Sequence, residues 1–95
     1  MNSNKIMEES LMKIYKLYKI SYNIDGSDDV EVVNYYVNFD KAEEHFIDTC
    51  KYCDAFFNVE NLKILDDGNY EYSVKRYQNQ EYYDYVKLEI INVVE

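Results

Sequence analysis

The side chains best suited to metal or redox chemistry are two cysteines and a histidine close together in the chain. Cys50 and Cys53 form a C-x-x-C motif, and the single histidine, His45, lies shortly before them. A redox C-x-x-C pair works at the start of a helix, where the dipole lowers a thiol pKa. This pair falls late in a predicted helix, on its apolar stripe, so we predict two core thiols. A zinc site with His45 is the alternative, and no further cysteine is available as its fourth ligand.

The acidic stretch DGSDDVE (residues 25–31) contains the residue types of a calcium loop. An EF-hand loop alternates acidic ligands before its glycine and closes with a distant glutamate. Here the glycine comes second and the acids follow it, which favours an acidic hairpin tip. Paired carboxylates need a pocket that separates their pKa values before they can act as acid and base. The sequence indicates no such pocket, so we predict a non-enzyme without cofactor or metal.

Net charge is the strongest global feature of the chain. Asp and Glu number 19 against 10 Lys and Arg, which gives a formal charge of -9. The residues through Lys19 carry +2, and those from Ile20 onward carry -11. Such a body repels nucleic acid and anionic membranes and attracts basic proteins. The alternative is that the acidity only keeps the protein soluble.

The length predicts one domain over residues 1–95, of which residues 1–10 could be a flexible N-terminal segment. Those first residues, MNSNKIMEES, lack the apolar centre of a signal peptide. No stretch approaches the roughly 20 apolar residues that a membrane span needs. We therefore expect a protein of the cytoplasm, without membrane contact.

Two Asp-Gly pairs and the periodicity of apolar residues predict the fold. Both glycines follow an aspartate, and Asp-Gly between alternating runs is a strong hairpin signal. Alternation predicts a first strand from Ile14 to the Asp25-Gly26 turn, although Met7, Leu11, Ile14 and Tyr18 also have helical spacing. Further strands are predicted over 30–39, 62–66, 69–78 and 82–94, with a turn at Asn79-Gln80 and a helix over 40–54. Asp40 and Glu43 resemble a capping box at the helix start. The result is an α+β fold, an antiparallel sheet of about five strands in the order β-β-α-β-β-β with one helix packed on one face.

Tyrosine is unusually abundant, with 12 in 95 residues. Strand parity predicts one group in the core (Tyr18, Tyr22, Tyr35, Tyr70 and Tyr72) and another on the opposite face (Tyr15, Tyr77, Tyr83 and Tyr85). Strand propensity together with a half-covered second face explains such a pattern. The alternative is a protein interface, where tyrosine provides stiff contact area with a polar tip. Surfaces that stack single-stranded nucleic acid pair aromatics with Lys and Arg, whereas acids surround these tyrosines.

The alternating strand directions place the first hairpin and the turn into the last strand at the same end of the domain. Acids from both could then form one anionic patch that binds a basic protein. Carboxylates on a rigid scaffold can pair with the Lys and Arg that otherwise hold phosphates. The predicted partner-binding residues are Asp25, Asp28, Asp29, Glu31, Glu71, Glu81, Tyr83 and Asp84.

In size, charge and predicted topology the chain resembles the small acidic anti-CRISPR proteins of phages and mobile elements. The features concerned are NFDKAEEHF (residues 38–46) leading a helix, and the acidic turns DGSDD (25–29) and LDDGNY (65–70). The resemblance implies an inhibitor of a CRISPR–Cas nuclease that acts in the cytoplasm of a bacterial host cell, in some members by DNA mimicry. Two other functions stay open: an immunity protein or antitoxin against a basic nuclease toxin, and a small-ligand module, which a single arginine (Arg76) disfavours. Both a monomer and a homodimer, formed through an edge strand or the surplus tyrosines, are compatible with the sequence.

Overall fold

Five strands and one helix make up the described part of the chain, residues 11–23, 25–75 and 83–94 of a computed structural model. The elements are β1 (Leu11–Tyr22), β2 (Asp28–Tyr36), α1 (Phe39–Cys53), a 3₁₀ turn (Val59–Asn61), β3 (Leu62–Ile64), β4 (Tyr70–Lys75) and β5 (Tyr83–Val94). The strands form one antiparallel sheet in the order β2-β1-β5-β4-β3, with α1 packed against one face. The predicted α+β fold and element order are thereby confirmed.

The two Asp-Gly pairs form turns, as predicted. Gly26 and Gly68 have φ of 87° and 88°, a left-handed conformation that favours glycine. Asp25 Oδ1 accepts the Ser27 N–H at 2.9 Å, and Asp67 Oδ1 accepts the Asn69 N–H at 3.1 Å, so each aspartate side chain closes its turn. The predicted Asn79-Gln80 turn and the segment 1–10 lie outside the described residues.

Several element boundaries differ from the predicted ones. β1 begins at Leu11, and β2 ends at Tyr36 because the chain turns into α1 two residues later. Asn38 is the N-cap of α1, and its Oδ1 accepts the Lys41 N–H at 3.0 Å. The prediction of Asp40 as the cap is wrong, since Asp40 already lies within the first turn of the helix. β3 ends at Ile64, two residues earlier than predicted, because residues 66 and 67 belong to the turn.

The capping assignment can be tested by two single substitutions. Asn38→Ala should lower the free energy of unfolding by about 1 kcal/mol, because the Lys41 N–H loses its acceptor. Asp40→Ala should cost only about 0.3–0.5 kcal/mol through the helix dipole. Urea denaturation of both variants would measure the difference. A larger loss for Asp40→Ala would restore Asp40 as the cap.

The core lies between α1 and the middle of the sheet. Tyr70 and Tyr72 face the helix as predicted, and the Phe46 and Tyr70 rings meet edge to face at 5.6 Å between centroids. The Tyr70 hydroxyl donates to Glu43 Oε2 and the Tyr72 hydroxyl to Asp54 Oδ2, each at 2.6 Å. These bonds join β4 to the start and the end of the helix. The fully buried residues are Leu17, Ala42, Phe46, Cys50, Tyr72, Val86 and Leu88.

Alkaline pH should weaken this tie between β4 and α1. Burial, together with the hydrogen bond to Glu43, raises the pKa of Tyr70 from 10.0 to about 12. The folded pKa exceeds the unfolded one, so this contribution to stability is complete below pH 10 and is lost as pH rises through 12. The urea midpoint of the wild type should therefore fall over this range, and more steeply than that of Tyr70→Phe. Tyr52→Phe, at an exposed site, controls for substitution itself and should follow the wild type.

The faces of β1 are the reverse of the predicted ones. Leu17 is buried beneath α1, and the Tyr15 ring meets Phe39 of the helix at 5.4 Å. Because successive strand side chains alternate, Tyr18 and Tyr22 lie on the other face, and their prediction as core residues is wrong. Tyr35 also lies on this face. A bulge in β2 leaves Val33 without a partner in β1, so Tyr35 pairs with Lys16, which has the same parity as Tyr18. We call this surface the open face; its apolar members are Met12, Ile14, Tyr18, Ile20, Tyr22, Val30, Val32, Tyr35, Tyr85, Ile91 and Val93.

Candidate partner-binding surface

The tip of the β1–β2 hairpin holds its acidic side chains in place through internal hydrogen bonds. Asp25 Oδ1 accepts the Ser27 hydroxyl at 2.6 Å as well as the Ser27 N–H. These two bonds lower the pKa of Asp25, so the carboxylate stays charged. The Asn23 side-chain amide donates to Asp29 Oδ2 at 3.1 Å. A neutral donor fixes the position of Asp29 without cancelling its charge.

Strand register brings acids from both ends of the sequence together. Ser21 of β1 pairs with Asp29 of β2 on one side and with Asp84 of β5 on the other. Two strand spacings separate the two aspartates, which places their Cα atoms roughly 10 Å apart. All three residues have the parity of Leu17 and lie on the helix side of the sheet.

A pocket of about 270 Å³ opens at this place, beside the end of α1. We call it the acidic pocket; its polar lining consists of Lys19, Ser21, Asp29, Glu31, Cys53 and Asp84. Lys19 Nζ forms an ion pair with Glu31 Oε2 at 2.8 Å, and that hydrogen bond raises the pKa of Lys19. Glu31 therefore balances Lys19, the cation among the described lining residues, and Asp29 and Asp84 are the other acidic members of the lining.

The predicted partner-binding residues fall into separate groups. Asp25, Asp29, Glu31 and Asp84 lie at one end of the sheet, as the strand directions predicted. Asp28 pairs with Tyr22 and belongs to the open face. Glu71 also lies on that face, where its carboxylate is 3.3 Å from Lys87 Nζ, so it stands apart from the acidic pocket. Tyr83 is the first residue of β5, and Glu81 lies outside the described residues.

Sequence reasoning missed Lys19, Ser21 and Cys53 as lining residues. The signal was present in the spacing, because Lys19 and Ser21 continue the parity of Leu17 along β1. The prediction assumed that the more apolar side of β1 faces the helix, and this assumption placed Lys19 and Ser21 on the wrong side of the sheet.

The cysteines contribute to packing. Cys50 is buried in the core as predicted, and burial raises the pKa of its thiol to about 12. Cys53 is half-buried, and burial raises its thiol pKa as well, so neither side chain is a thiolate at neutral pH.

His45 is exposed, with Nδ1 hydrogen-bonded to the Tyr36 hydroxyl at 2.7 Å. Within the part of the chain that the structure describes, no three His, Cys, Asp or Glu side chains are grouped to hold a metal ion.

Comparisons of the chain with protein-family models, with curated proteins and with solved structures find no match. Among the described residues, no helix has the length and apolar character needed to cross a membrane. What bears on function is therefore the shape and charge of the surface itself.

Proposed function

We propose that the chain is a non-catalytic acidic inhibitor that binds a basic, nucleic-acid-binding surface of a CRISPR–Cas or similar defence nuclease, as a nucleic-acid mimic. The observation that carries this proposal is the acidic end of the domain, where Asp25, Asp29 and Asp84 come together from a hairpin and a distant strand. A chain of net charge -9 is drawn to a basic groove over long distances, and this end offers the contact.

Rigid placement of the carboxylates supports mimicry. Asp29 and Asp84 stand on paired strands, and Asp25 is held by Ser27, so little conformational freedom is lost when a partner binds. Carboxylates accept the same charge-assisted hydrogen bonds from Arg and Lys as phosphates do. The ion pair between Lys19 and Glu31 keeps this lysine of the pocket from repelling a basic partner.

Two exposed aromatic residues lie near the same end. Tyr52, in the last turn of α1, is 88% exposed, and Phe56, just beyond the helix, is 90% exposed. Cys53 lines the acidic pocket, so the end of α1 stands beside it. Interfaces bind through aromatic anchors surrounded by polar rims. In the proposed complex the acids supply steering, and Tyr52 and Phe56 supply buried contact area.

The test is competition with nucleic acid for a panel of purified Cas effectors at low and high salt. We expect the protein to displace DNA or RNA from at least one effector, with inhibition that weakens steeply as salt rises. Inhibition that is indifferent to salt would exclude mimicry. If no effector is inhibited, the defence-nuclease target is wrong, and capture of a basic nuclease toxin would identify an immunity protein instead.

A further inference from the structure

The open face is unusually apolar for a surface of a two-layer domain. An antiparallel sheet with one solvated face carries polar side chains on that face. Here Val30 and Tyr35 are each 54% exposed and Val32 is 42% exposed, next to Tyr18 and Ile20 of β1. None of the described elements packs over them, since α1 occupies the other side of the sheet.

The apolar surface is continuous from β2 across β1 to β5. Val30 pairs with Ile20, and Ile20 pairs with Tyr85. The Tyr22 and Tyr85 rings meet edge to face at 5.5 Å between centroids. The surface ends toward β4, where Ser73 stands next to Tyr85. In the middle of β1 and β5 it is interrupted by Lys16 and Glu89, which stand side by side. A patch shared by three neighbouring strands and rimmed by polar residues is typical of a protein–protein contact.

Charges on the open face offset one another. Lys16 stands opposite Glu89 in the β1–β5 register, and Lys87 forms an ion pair with Glu71. Apart from Asp28 near the hairpin, these charges cancel, so the face offers a basic partner little excess of negative charge, although the chain as a whole carries -9. A second copy of the face suits it better, because apolar residues then meet apolar residues and Lys and Glu can pair between the copies.

The area of the open face comes near that of a standard dimer interface. β1 and β5 are each 12 residues long, which corresponds to about 40 Å at 3.4 Å per residue. Three strands are roughly 14 Å wide, so their flat outline covers about 550 Å². Side-chain relief increases the accessible area above this outline. The result approaches the roughly 800 Å² per partner of a standard interface.

A dimer can also form when edge strands of two copies pair through backbone hydrogen bonds, but two features of β2 hinder such pairing. The bulge at Val33 interrupts its regular course. Asn34 Oδ1 accepts the Tyr35 N–H at 2.8 Å, which withdraws a backbone donor from any added strand. Bulges and blocked backbone groups protect edge strands from pairing with other chains.

We propose that the protein forms a homodimer in which the open faces of two copies pack against each other, with Val30, Val32 and Ile20 within the contact. The polar side chains of the acidic pocket lie on the opposite side of the sheet, although Val30 and Tyr85 of the open face also line the pocket, so both copies keep these acids accessible. This inference does not depend on the proposed function.

The experiment is analytical ultracentrifugation of the purified protein alone between about 1 and 200 µM, a range that covers micromolar dissociation constants. We expect a species of twice the 11.5 kDa chain mass. Val30→Lys and Val32→Lys each place a charge in the contact of both copies and should weaken dimerisation at least about a hundredfold. Tyr52→Lys replaces an exposed aromatic residue away from the face and should leave the dimer intact.

Each outcome decides the proposal. A wild type that stays monomeric over the whole range would overturn it. A dimer that survives both valine substitutions would also overturn it, because lysines on the open face would not hinder pairing through the edge of β2. Circular dichroism must show that the valine variants remain folded, which their solvent exposure leads us to expect.

Discussion

Replacement of Phe46 by alanine is expected to lower the free energy of unfolding by about 3–5 kcal/mol. Phe46 is completely buried, and its ring lies against Tyr70 between α1 and the sheet. The cavity left by the ring cannot close easily, because Leu17 and Leu88 below it are fixed in paired strands. Domains of this size have about 5–15 kcal/mol in total, so the loss is a large part of the stability.

Phe56→Ala provides the matched control, since the same side chain is removed from a site that is 90% exposed. It should change stability by no more than about 0.5 kcal/mol. Thermal denaturation would distinguish the variants, because each kcal/mol of lost stability lowers the melting temperature by roughly 4–8 °C for a chain of this length. A loss below about 1.5 kcal/mol for Phe46→Ala would mean that α1 does not pack on the sheet as described.

The small core and the apolar open face have a common cause. One 15-residue helix is about 22 Å long, whereas the 12-residue strands β1 and β5 extend about 40 Å. The helix therefore covers only part of one side of the sheet. Within the described residues, the apolar side chains of the open face have no second layer over them, and another protein chain can cover them.

Local chemistry explains which parts of the fold were predictable. The Asp-Gly pairs mark two turns because glycine accepts a positive φ, and the change of period after β2 marks α1. The faces of β1 could not be assigned, because both sides of that strand carry large apolar residues. The bulge at Val33 has no sequence signature here, and it moved Tyr35 to the open face. N-capping also depends on geometry, which selected Asn38 over Asp40.

The candidate site was partly predictable for a similar reason. Strand directions alone predict that Asp29 and Asp84 lie at the same end of the sheet. Their positions on either side of Ser21 follow from the strand order β2-β1-β5, which the sequence did not predict. Glu71 has the opposite parity in β4, so its side chain lies on the open face, where it forms an ion pair with Lys87. The role of Lys19 could not be predicted without the correct assignment of the two faces of β1, because only that assignment places Lys19 beside Glu31 on the helix side of the sheet.

Reversal of charge at Asp29 and Asp84 together is expected to weaken binding to the basic partner at least about a hundredfold at low salt. Each carboxylate that loses a Lys or Arg contact costs about a factor of ten or more, and the new lysines repel the same groups. The steep salt dependence of binding should flatten as well, because fewer charge contacts remain. Competition with nucleic acid, for an effector that the wild type inhibits, would measure both changes.

A second double variant, Asp48→Lys with Asp66→Lys, separates the acidic end from net charge. Both sites are exposed, Asp48 on the helix and Asp66 in the β3–β4 turn, and the change of net charge is the same. Overall steering falls equally in the two double variants, so a pronounced loss confined to Asp29 and Asp84 assigns the contact to the acidic end. Equal losses would mean that only net charge matters, and mimicry by placed carboxylates would then be wrong. The two proposed surfaces are also separable, because Val32→Lys should abolish the dimer while each copy keeps its acidic pocket for the partner.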